Sequence, residues 1–125
     1  MFFTASRADG VVHGWDTKDT YEEHTSHSIV KIENENQQIN ALCSLQNSQY
    51  LGVAGSSGMD IVEFRKENGA ITDHKVVQSL SQDQGDILTC LDTMLPISHQ
   101  HVLTYTSQRG SMFMYDLRCR REALV

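Results

Sequence analysis

Two histidines and three cysteines are the residues of this chain best suited to bind a metal ion. Imidazole nitrogens and thiolates are preferred zinc ligands, and His24 and His27 stand three positions apart in the polar segment HTSH. The cysteines, Cys43, Cys90 and Cys119, form no Cys-x-x-Cys pair, and an odd, widely spaced set does not indicate a disulfide framework. We therefore expect reduced thiols, no metal site and no cofactor.

Serine and carboxylate side chains offer a second kind of chemistry. Ser56 and Ser57 lie in GSSG, which has the wrong frame for the G-x-S-x-G turn of serine hydrolases and precedes no helical pattern. Asp83 and Asp86 in QDQGD could pair as an acid and a base. Because no partner pocket is indicated, we expect both to be solvated loop residues. The sequence thus predicts no catalytic residue.

Charge and hydropathy narrow the range of partners. The net charge of −6 argues against nucleic acid, because phosphate binding needs clustered Lys and Arg. One local cluster, LRCRRE, places Arg118, Arg120 and Arg121 in either a solvated loop or a docking patch for an acidic partner. No apolar run approaches the ~20 residues of a membrane span, and the start of the chain lacks the basic region of a signal peptide. We expect a cytoplasmic protein without direct membrane insertion.

An internal repeat indicates the elements that must position these residues. The segment TASRADGVVHGWD, residues 4–16, returns without a gap as TYTSQRGSMFMYD, residues 104–116. A weaker copy between them, LGVAGSSGMDIVEFR, carries Gly58 and Phe64. The matched positions are Thr4 with Thr104, Gly10 with Gly110, Trp15 with Tyr115, and Asp16 with Asp116. The aromatic residues recur about every fifty positions, and a period of this length is typical of repeat folds.

Each period contains four short runs rich in β-branched and aromatic residues and bounded by Gly, Ser, Asn and Asp. Such runs predict strands. The glycine of ADG, SSG and QRG falls at the turn between the second and third strands, where a positive φ costs least in a residue without Cβ. The third strand is apolar at consecutive positions, as expected when both faces of a sheet are covered. The sequence therefore predicts an all-β fold of four-stranded antiparallel sheets.

These segments resemble the WD-repeat family. TASRADGVVHGWD is similar to the second half of a repeat, and in TYTSQRGSMFMYDLR the pair Tyr115 and Asp116 replaces the Trp-Asp dipeptide. The family's Gly-His before the first strand is missing from ENQQINAL and DQGDILTC. The resemblance assigns structural roles to Asp9, Gly10, Trp15, Asp16, Gly58, Phe64, Gly110, Tyr115 and Asp116.

The resemblance implies a partial β-propeller of about two and a half blades. Residues 1–34 would supply the last three strands of one blade, residues 35–82 a full blade, and residues 83–125 the first three strands of another. Met112, Phe113, Met114 and Tyr115 then fit either the blade core, which we favour, or an adaptable peptide groove.

The order of the repeats is similar to the C-terminal propeller of the regulatory subunits of class III phosphatidylinositol 3-kinases, which are protein-kinase-like scaffolds. This likeness implies a non-catalytic scaffold that binds the lipid kinase catalytic subunit and its regulators. It also implies a peripheral location on endosomal or autophagic membranes through that complex. A Gly-rich loop, HRD and DFG are all absent, so any kinase activity of the parent protein would lie outside these residues.

Two other functions stay open at this point. YDLR and WDTK resemble the aromatic-Asp-x-basic box by which WD-repeat substrate receptors of cullin ubiquitin ligases dock an adaptor. An enzymatic propeller is the other alternative, and it would need acids or metal ligands converging on a channel.

Overall fold

A computed structural model describes residues 2–5, 10–15, 30–33, 38–45, 49–68, 70–80, 86–93, 101–119 and 121–124. These residues form strands and turns without a helix, arranged in three antiparallel sheets. The predicted all-β class is confirmed.

The three sheets follow one another along the chain, and strand order in space equals strand order in sequence. The first sheet contains β1 (Phe2–Ala5), β2 (Val11–Trp15) and β3 (Val30–Glu33). The second contains β4 (Ile39–Leu45), β5 (Tyr50–Gly55), β6 (Gly58–Glu67) and β7 (Ala70–Leu80). The third contains β8 (Leu88–Thr93), β9 (Val102–Ser107), β10 (Met112–Asp116) and β11 (Arg121–Leu124).

The third sheet has one strand more than the sequence indicated. We expected three strands after residue 83, but β11 pairs antiparallel with the outer edge of β10, from Phe113 opposite Leu124 to Asp116 opposite Arg121. The charged segment that contains β11 carries no apolar alternation, so a strand was not expected there. Pairing with β10 therefore forms this strand against its local sequence pattern.

The repeated glycines adopt the backbone conformation that their turns require. Gly10, Gly58 and Gly110 have φ values of 69°, 110° and 91°. In the third sheet, Ser107 N–H donates to the Ser111 carbonyl and Gly110 N–H donates to the Ser107 carbonyl, which closes a three-residue loop. A glycine with positive φ is the usual last residue of such a loop, because a Cβ there would crowd the backbone.

Replacing Gly110 with valine is expected to destabilise the chain by about 1–2 kcal/mol or more, through backbone strain alone. A Cβ at Gly110 would have no heavy atom within 4 Å, so steric overlap with neighbours adds nothing. Urea unfolding of Gly110→Val and Gly110→Asn separates the two causes, since asparagine tolerates positive φ better than valine. Equal losses for the two variants would contradict the backbone explanation.

The turns differ in length, so residues that match in the repeated sequence do not match in strand pairing. Leu51 pairs with Val62 and Leu103 pairs with Tyr115, so Val62 holds the position of Tyr115, and Phe64 lies two residues further on. The second sheet turns through two residues, Ser56 and Ser57, between the paired Gly55 and Gly58, whereas the third sheet turns through three. The first copy is shifted similarly, because Thr4 pairs with His13 but Thr104 pairs with Met114.

Both faces of the second sheet are covered, which explains its runs of consecutive apolar residues. Towards the first sheet it presents Ile39, Leu51, Val53, Val62 and Phe64, which are buried in one cluster with Val12. The Phe64 ring stacks on Phe3 with centroids 5.2 Å apart. Towards the third sheet it presents Leu45, Ala54, Met59 and Ile61.

The third sheet packs on the second sheet with one face, and this face corresponds to the one with which the second sheet packs on the first. Its buried residues there are Leu88, Leu91, Leu103, Tyr105 and Tyr115. By strand pairing these correspond to Ile39, Leu42, Leu51, Val53 and Val62 of the second sheet. The second and third sheets therefore stack head to tail, unlike a sandwich in which each sheet buries only one face.

A β-bulge recurs at the start of β4 and of β8. Ile39 pairs with Gly55 and Ala41 with Ala54, which leaves Asn40 as the extra residue. In the same way Leu88 pairs with Ser107 and Cys90 with Thr106, which leaves Thr89 as the extra residue. An extra residue reverses the side-chain alternation of a strand, so Ile39 faces the first sheet although Ala41 packs on the cluster shared with the third.

Candidate functional site

The three sheets meet around an open recess of about 390 Å³ at the start of β4 and β8. Such a volume falls within the ordinary range of ligand sites. The recess is lined by uncharged residues, namely Ala5, Ile39, Asn40, Ile87, Thr89 and Gln108. The site therefore favours neutral groups such as peptide backbone over ions.

The two bulge residues and Gln108 supply the polar side chains of this recess. Asn40 Nδ2 donates to the carbonyl oxygen of Leu88 at 2.8 Å and thereby ties β4 to β8 across two sheets. Thr89 Oγ1 lies 3.1 Å from Thr106 Oγ1 and donates to the Thr106 carbonyl at 3.3 Å. The bulge at Asn40 thus joins β4 to β8, whereas the bulge at Thr89 bonds to β9 of its own sheet.

Asp86 organises the rim of the recess, contrary to the expectation of a solvated loop residue. Its side chain is only 8% exposed, and Oδ1 accepts hydrogen bonds from Ile87 N at 3.1 Å and Arg109 N at 3.2 Å. The Ser107 hydroxyl also donates to this carboxylate, while Ser107 Oγ accepts from Ser111 N at 3.2 Å. Asp86 therefore fixes the turn between β9 and β10 to the start of β8.

The second sheet holds its own turn by a related contact. Ser56 N–H donates to the Gln38 carbonyl at 3.0 Å, and Gln108 N–H donates to the Ile87 carbonyl at 2.8 Å at the corresponding place in the third sheet. Ser56 Oγ also accepts from Gln38 N at 2.9 Å. Ser56 and Ser57 thus form a turn, as predicted, and Ser56 stabilises it.

Replacing Asp86 with asparagine is expected to lower the melting temperature by several degrees at pH 7. Burial opposes ionisation, but the hydrogen bonds from Ser107, Arg109 N and Ile87 N together lower the pKa of Asp86 below its usual range. A depressed pKa contributes stability that is complete above the unfolded-state pKa and is lost as the pH falls through the folded-state pKa. The deficit of Asp86→Asn should therefore shrink as the pH is lowered below about 4 in thermal melts.

The exposed Asp92 is a suitable control for this measurement. Its Oδ1 accepts from Thr93 N of the next residue at 2.8 Å, so Asp92→Asn should change the melting temperature much less than Asp86→Asn. A deficit of Asp86→Asn that stays constant from pH 7 to pH 3 would contradict the role of the charged carboxylate.

Asp116 and Arg118 form a clamp at the end of β10. Asp116 accepts from Arg118 Nε at 3.2 Å, from Arg118 Nη2 at 3.0 Å and from Arg118 N at 2.9 Å. The side-chain hydrogen bonds of Arg118 are the main cause that lowers the pKa of Asp116 to about 2. The Arg118 side chain remains 65% exposed. The clamp thus stabilises the turn into β11 and presents an oriented guanidinium to solvent.

The aromatic residues of the third sheet belong to its core. Tyr115 and Tyr105 are each 1% exposed, and the Tyr105 ring stacks on Phe113 at 5.3 Å. The Tyr105 hydroxyl donates to Glu122 of β11. Burial and this hydrogen bond raise the pKa of Tyr105. Met112, at 43% exposure, lies outside the core.

The cysteines do not converge on a metal site. Cys43, Cys90 and Cys119 are free thiols, and burial, with smaller effects from Asp92 and Cys90, raises the pKa of Cys43 to about 11. Within the described part of the chain, no three His, Cys, Asp or Glu side chains are grouped so as to hold a metal ion. Other residues singled out in the sequence lie outside the described ranges: Asp9, Asp16, His24, His27, Asp83 and Arg120.

The strand Val11–Trp15 ends at one of the predicted structural residues, where the backbone of Trp15 pairs with Phe2.

Comparison with known proteins adds no assignment, since no protein-family model and no curated protein matches the chain. In the described ranges there is also no helix of the length and hydropathy needed to cross a membrane.

Proposed function

We propose that this chain is a segment of a WD-repeat β-propeller and serves as a non-catalytic scaffold for other proteins. The observation that carries the proposal is the head-to-tail stacking of the second and third sheets. Both sheets point the same face in the same direction. Propellers are built by this operation, with four-stranded sheets repeated around a central channel. β4 and β8 lie next to each other and are joined by the hydrogen bond from Asn40 to Leu88. This arrangement is consistent with β4 and β8 being the strands nearest such a channel.

The hydrogen bonds of Asp86 also support the proposal. The Gly-His of WD repeats is missing from the sequence, but Asp86 joins Ser107 and the turn at Arg109. A buried carboxylate thus ties the connection before β8 to the turn after β9, and it does so with charge-assisted hydrogen bonds.

The particular scaffold that we propose is the regulatory subunit of class III phosphatidylinositol 3-kinase. The repeated segments VVHGWD and MFMYDLR, in the order discussed above, carry this part of the proposal. The expected partners are the lipid kinase catalytic subunit and its regulators. The expected location is the cytoplasm and the surface of endosomal or autophagic membranes.

Affinity purification of the full-length parent protein from cells tests this assignment, with the lipid kinase catalytic subunit detected by mass spectrometry. We expect this subunit to co-purify with the wild type and with Val76→Ala, a change at a 50% exposed side chain. Gly52→Leu, which disturbs the contact between the second and third sheets, should reduce its recovery. Wild-type parent without any lipid kinase would contradict the assignment.

A receptor of a cullin ubiquitin ligase is the second candidate function, and the clamp of Asp116 and Arg118 favours it. Arg118 is oriented by Asp116 while it remains exposed, which suits a residue that contacts an adaptor. In the same purification, a ubiquitin-ligase adaptor that is recovered with the wild type and lost with Arg118→Glu would support this function. Recovery of the lipid kinase that is unaffected by Arg118→Glu would support the first.

A further inference from the structure

The outer strand of the second sheet, β7, contains two bulges. Thr72 and Val77 are the extra residues at these bulges, and the four residues between them, Asp73–Val76, pair regularly with β6. Bulges at a sheet edge interrupt the pairing of a further strand. The regular part of this edge is therefore four residues long, and we call Asp73–Val76 the β7 window.

The main chain of the β7 window points away from the sheet at His74. Phe64 N–H donates to the carbonyl of Gln49, next to the start of β5, at 2.9 Å. His74 pairs with Phe64, and the two residues of such an antiparallel pair direct their main-chain groups away from each other. Asp73 Oδ1 accepts the outward N–H of His74 at 2.8 Å. The alternation of the ladder repeats this outward orientation two residues later, at Val76.

A charged recess lies beside the β7 window. It has a volume of about 170 Å³ and is lined by Glu63, Arg65, Asp73, His74 and Lys75. Asp73 and Lys75 are two residues apart, so they lie on the same face of β7, and both are exposed. The window thus presents one acidic and one basic side chain next to main-chain groups that can pair with a strand.

We propose that the β7 window binds an extended segment of a partner protein, which pairs antiparallel with β7 and has an acidic residue two positions before a basic one. In this register the acidic side chain lies opposite Lys75 and the basic side chain lies opposite Asp73. Opposite charges that face each other across two strands are favourable. Because the hydrogen-bonded pairs of the added strand fall at His74 and Val76, the charged residues occupy the intervening pairs, in which side chains approach more closely.

The pairing of β6 with β7 shows that this order of charges fits the strand. Glu63 pairs with Lys75 and Arg65 pairs with Asp73, so β6 also has an acidic residue two positions before a basic one. Side chains of a strand alternate between the same two faces of the sheet at both of its edges. On binding, a ligand carbonyl would accept the N–H of His74, and Asp73 would be released to contact the basic side chain.

A second copy of the chain is a poorer occupant of the β7 window. When two β7 edges pair with their outward main-chain groups in register, His74 lies opposite Val76 of the other copy, and the two Lys75 side chains face each other. Like charges directly opposite each other are destabilising, and lysine in an edge strand disfavours pairing between copies. This binding site goes beyond the scaffold function proposed above and does not depend on it, because it uses the second sheet alone.

A peptide with the sequence of Ile61–Lys66 tests the proposal on the 125-residue chain, since it contains Glu63 and Arg65 in the required order. An NMR titration should show saturable binding. A peptide in which these two residues are exchanged has the same composition but places like charges opposite Lys75 and Asp73, so it should bind about tenfold more weakly. Equal binding of the two peptides, or no binding of the first tighter than about 1 mM, would overturn the proposal.

Exchanging the charges of the chain locates the binding. The double variant Asp73→Lys, Lys75→Asp keeps the net charge and changes two exposed side chains. It should reverse the preference, so that the exchanged peptide binds more tightly than the original one. Thermal melts of the double variant check that it is folded. A folded double variant with the preference of the wild type would overturn the proposal.

A proline at His74 tests the main-chain part of the site. His74→Pro removes only an outward N–H, and proline is tolerated at a sheet edge, whereas His74→Ala keeps this N–H. We expect His74→Pro to bind the original peptide about tenfold more weakly than His74→Ala. Equal binding would overturn strand addition. A wild-type dimer in sedimentation that His74→Pro abolishes, without peptide binding, would assign the edge to a second copy and would also overturn the proposal.

Discussion

Truncating Leu103 to alanine is expected to lower the free energy of unfolding by about 2–5 kcal/mol, the usual cost of removing a buried leucine. Leu103 is 0% exposed and lies in the cluster between the second and third sheets. The change removes apolar surface from that cluster and leaves a cavity in a well-packed interior, and the two costs add. Urea unfolding of the 125-residue chain, followed by circular dichroism, measures the loss.

A matched pair of variants tests why this loss occurs. Leu51 holds the corresponding place in the second sheet and is 1% exposed, so Leu51→Ala should cost a similar amount. Val76→Ala, at a side chain 50% exposed, should stay within about 0.5 kcal/mol of the wild type. A loss for Leu103→Ala no larger than that for Val76→Ala would rule out close packing between the two sheets.

Enlarging Gly52 to leucine should destabilise the chain by about 1–3 kcal/mol, because it overfills the contact between the same two sheets. A Cβ at Gly52 would lie 3.3 Å from Cδ1 of Leu103 and 3.3 Å from Cδ1 of Leu91. A leucine has three further carbon atoms to place in this space. Both neighbouring leucines are buried, so they have little room to move away.

Gly52→Ala is the control for the size of the added side chain. Its single methyl meets only the ends of two leucine side chains, which can shift by a few tenths of an ångström, and a strand gains from losing a glycine. We expect Gly52→Ala to remain within about 1 kcal/mol of the wild type. If Gly52→Leu were as stable as Gly52→Ala, the third sheet would not pack on β5 as described.

Local sequence was sufficient to predict the turns at the repeated glycines and the strands other than β11. A glycine such as Gly110 is required by a backbone angle that other residues rarely adopt, so its position indicates a turn without knowledge of the rest of the chain. Consecutive apolar residues in VVHGWD and SMFMYD predicted third strands covered on both faces. The third strand of the second sheet, β6, has this property, since Ile61 and Val62, each 0% exposed, lie in the two different clusters. In β10, by contrast, Met112 is 43% exposed.

Features that depend on distant partners were not predicted. Asp86 follows a polar stretch in the sequence, and only the fold brings Ser107 and Arg109 to its carboxylate. A short polar residue immediately before an apolar run was the available signal, since such residues often bind backbone N–H groups. The strand β11 likewise depends on pairing with β10 and on the hydrogen bond from the Tyr105 hydroxyl to Glu122.

The repeated frame was correct as a sequence pattern but not as a structural alignment. It placed Phe64 with Tyr115, whereas strand pairing places Val62 there. A turn can gain or lose one residue at little cost on the surface, and each such change shifts all later residues against the partner strand. Sequence spacing alone could not reveal this shift.

The bulge at Asn40 lets the start of β4 lose one residue without changing how the strand pairs with β5. Deleting Asn40 would remove the bulge and leave Ile39 and Ala41 as consecutive paired residues, each still on its present face of the sheet.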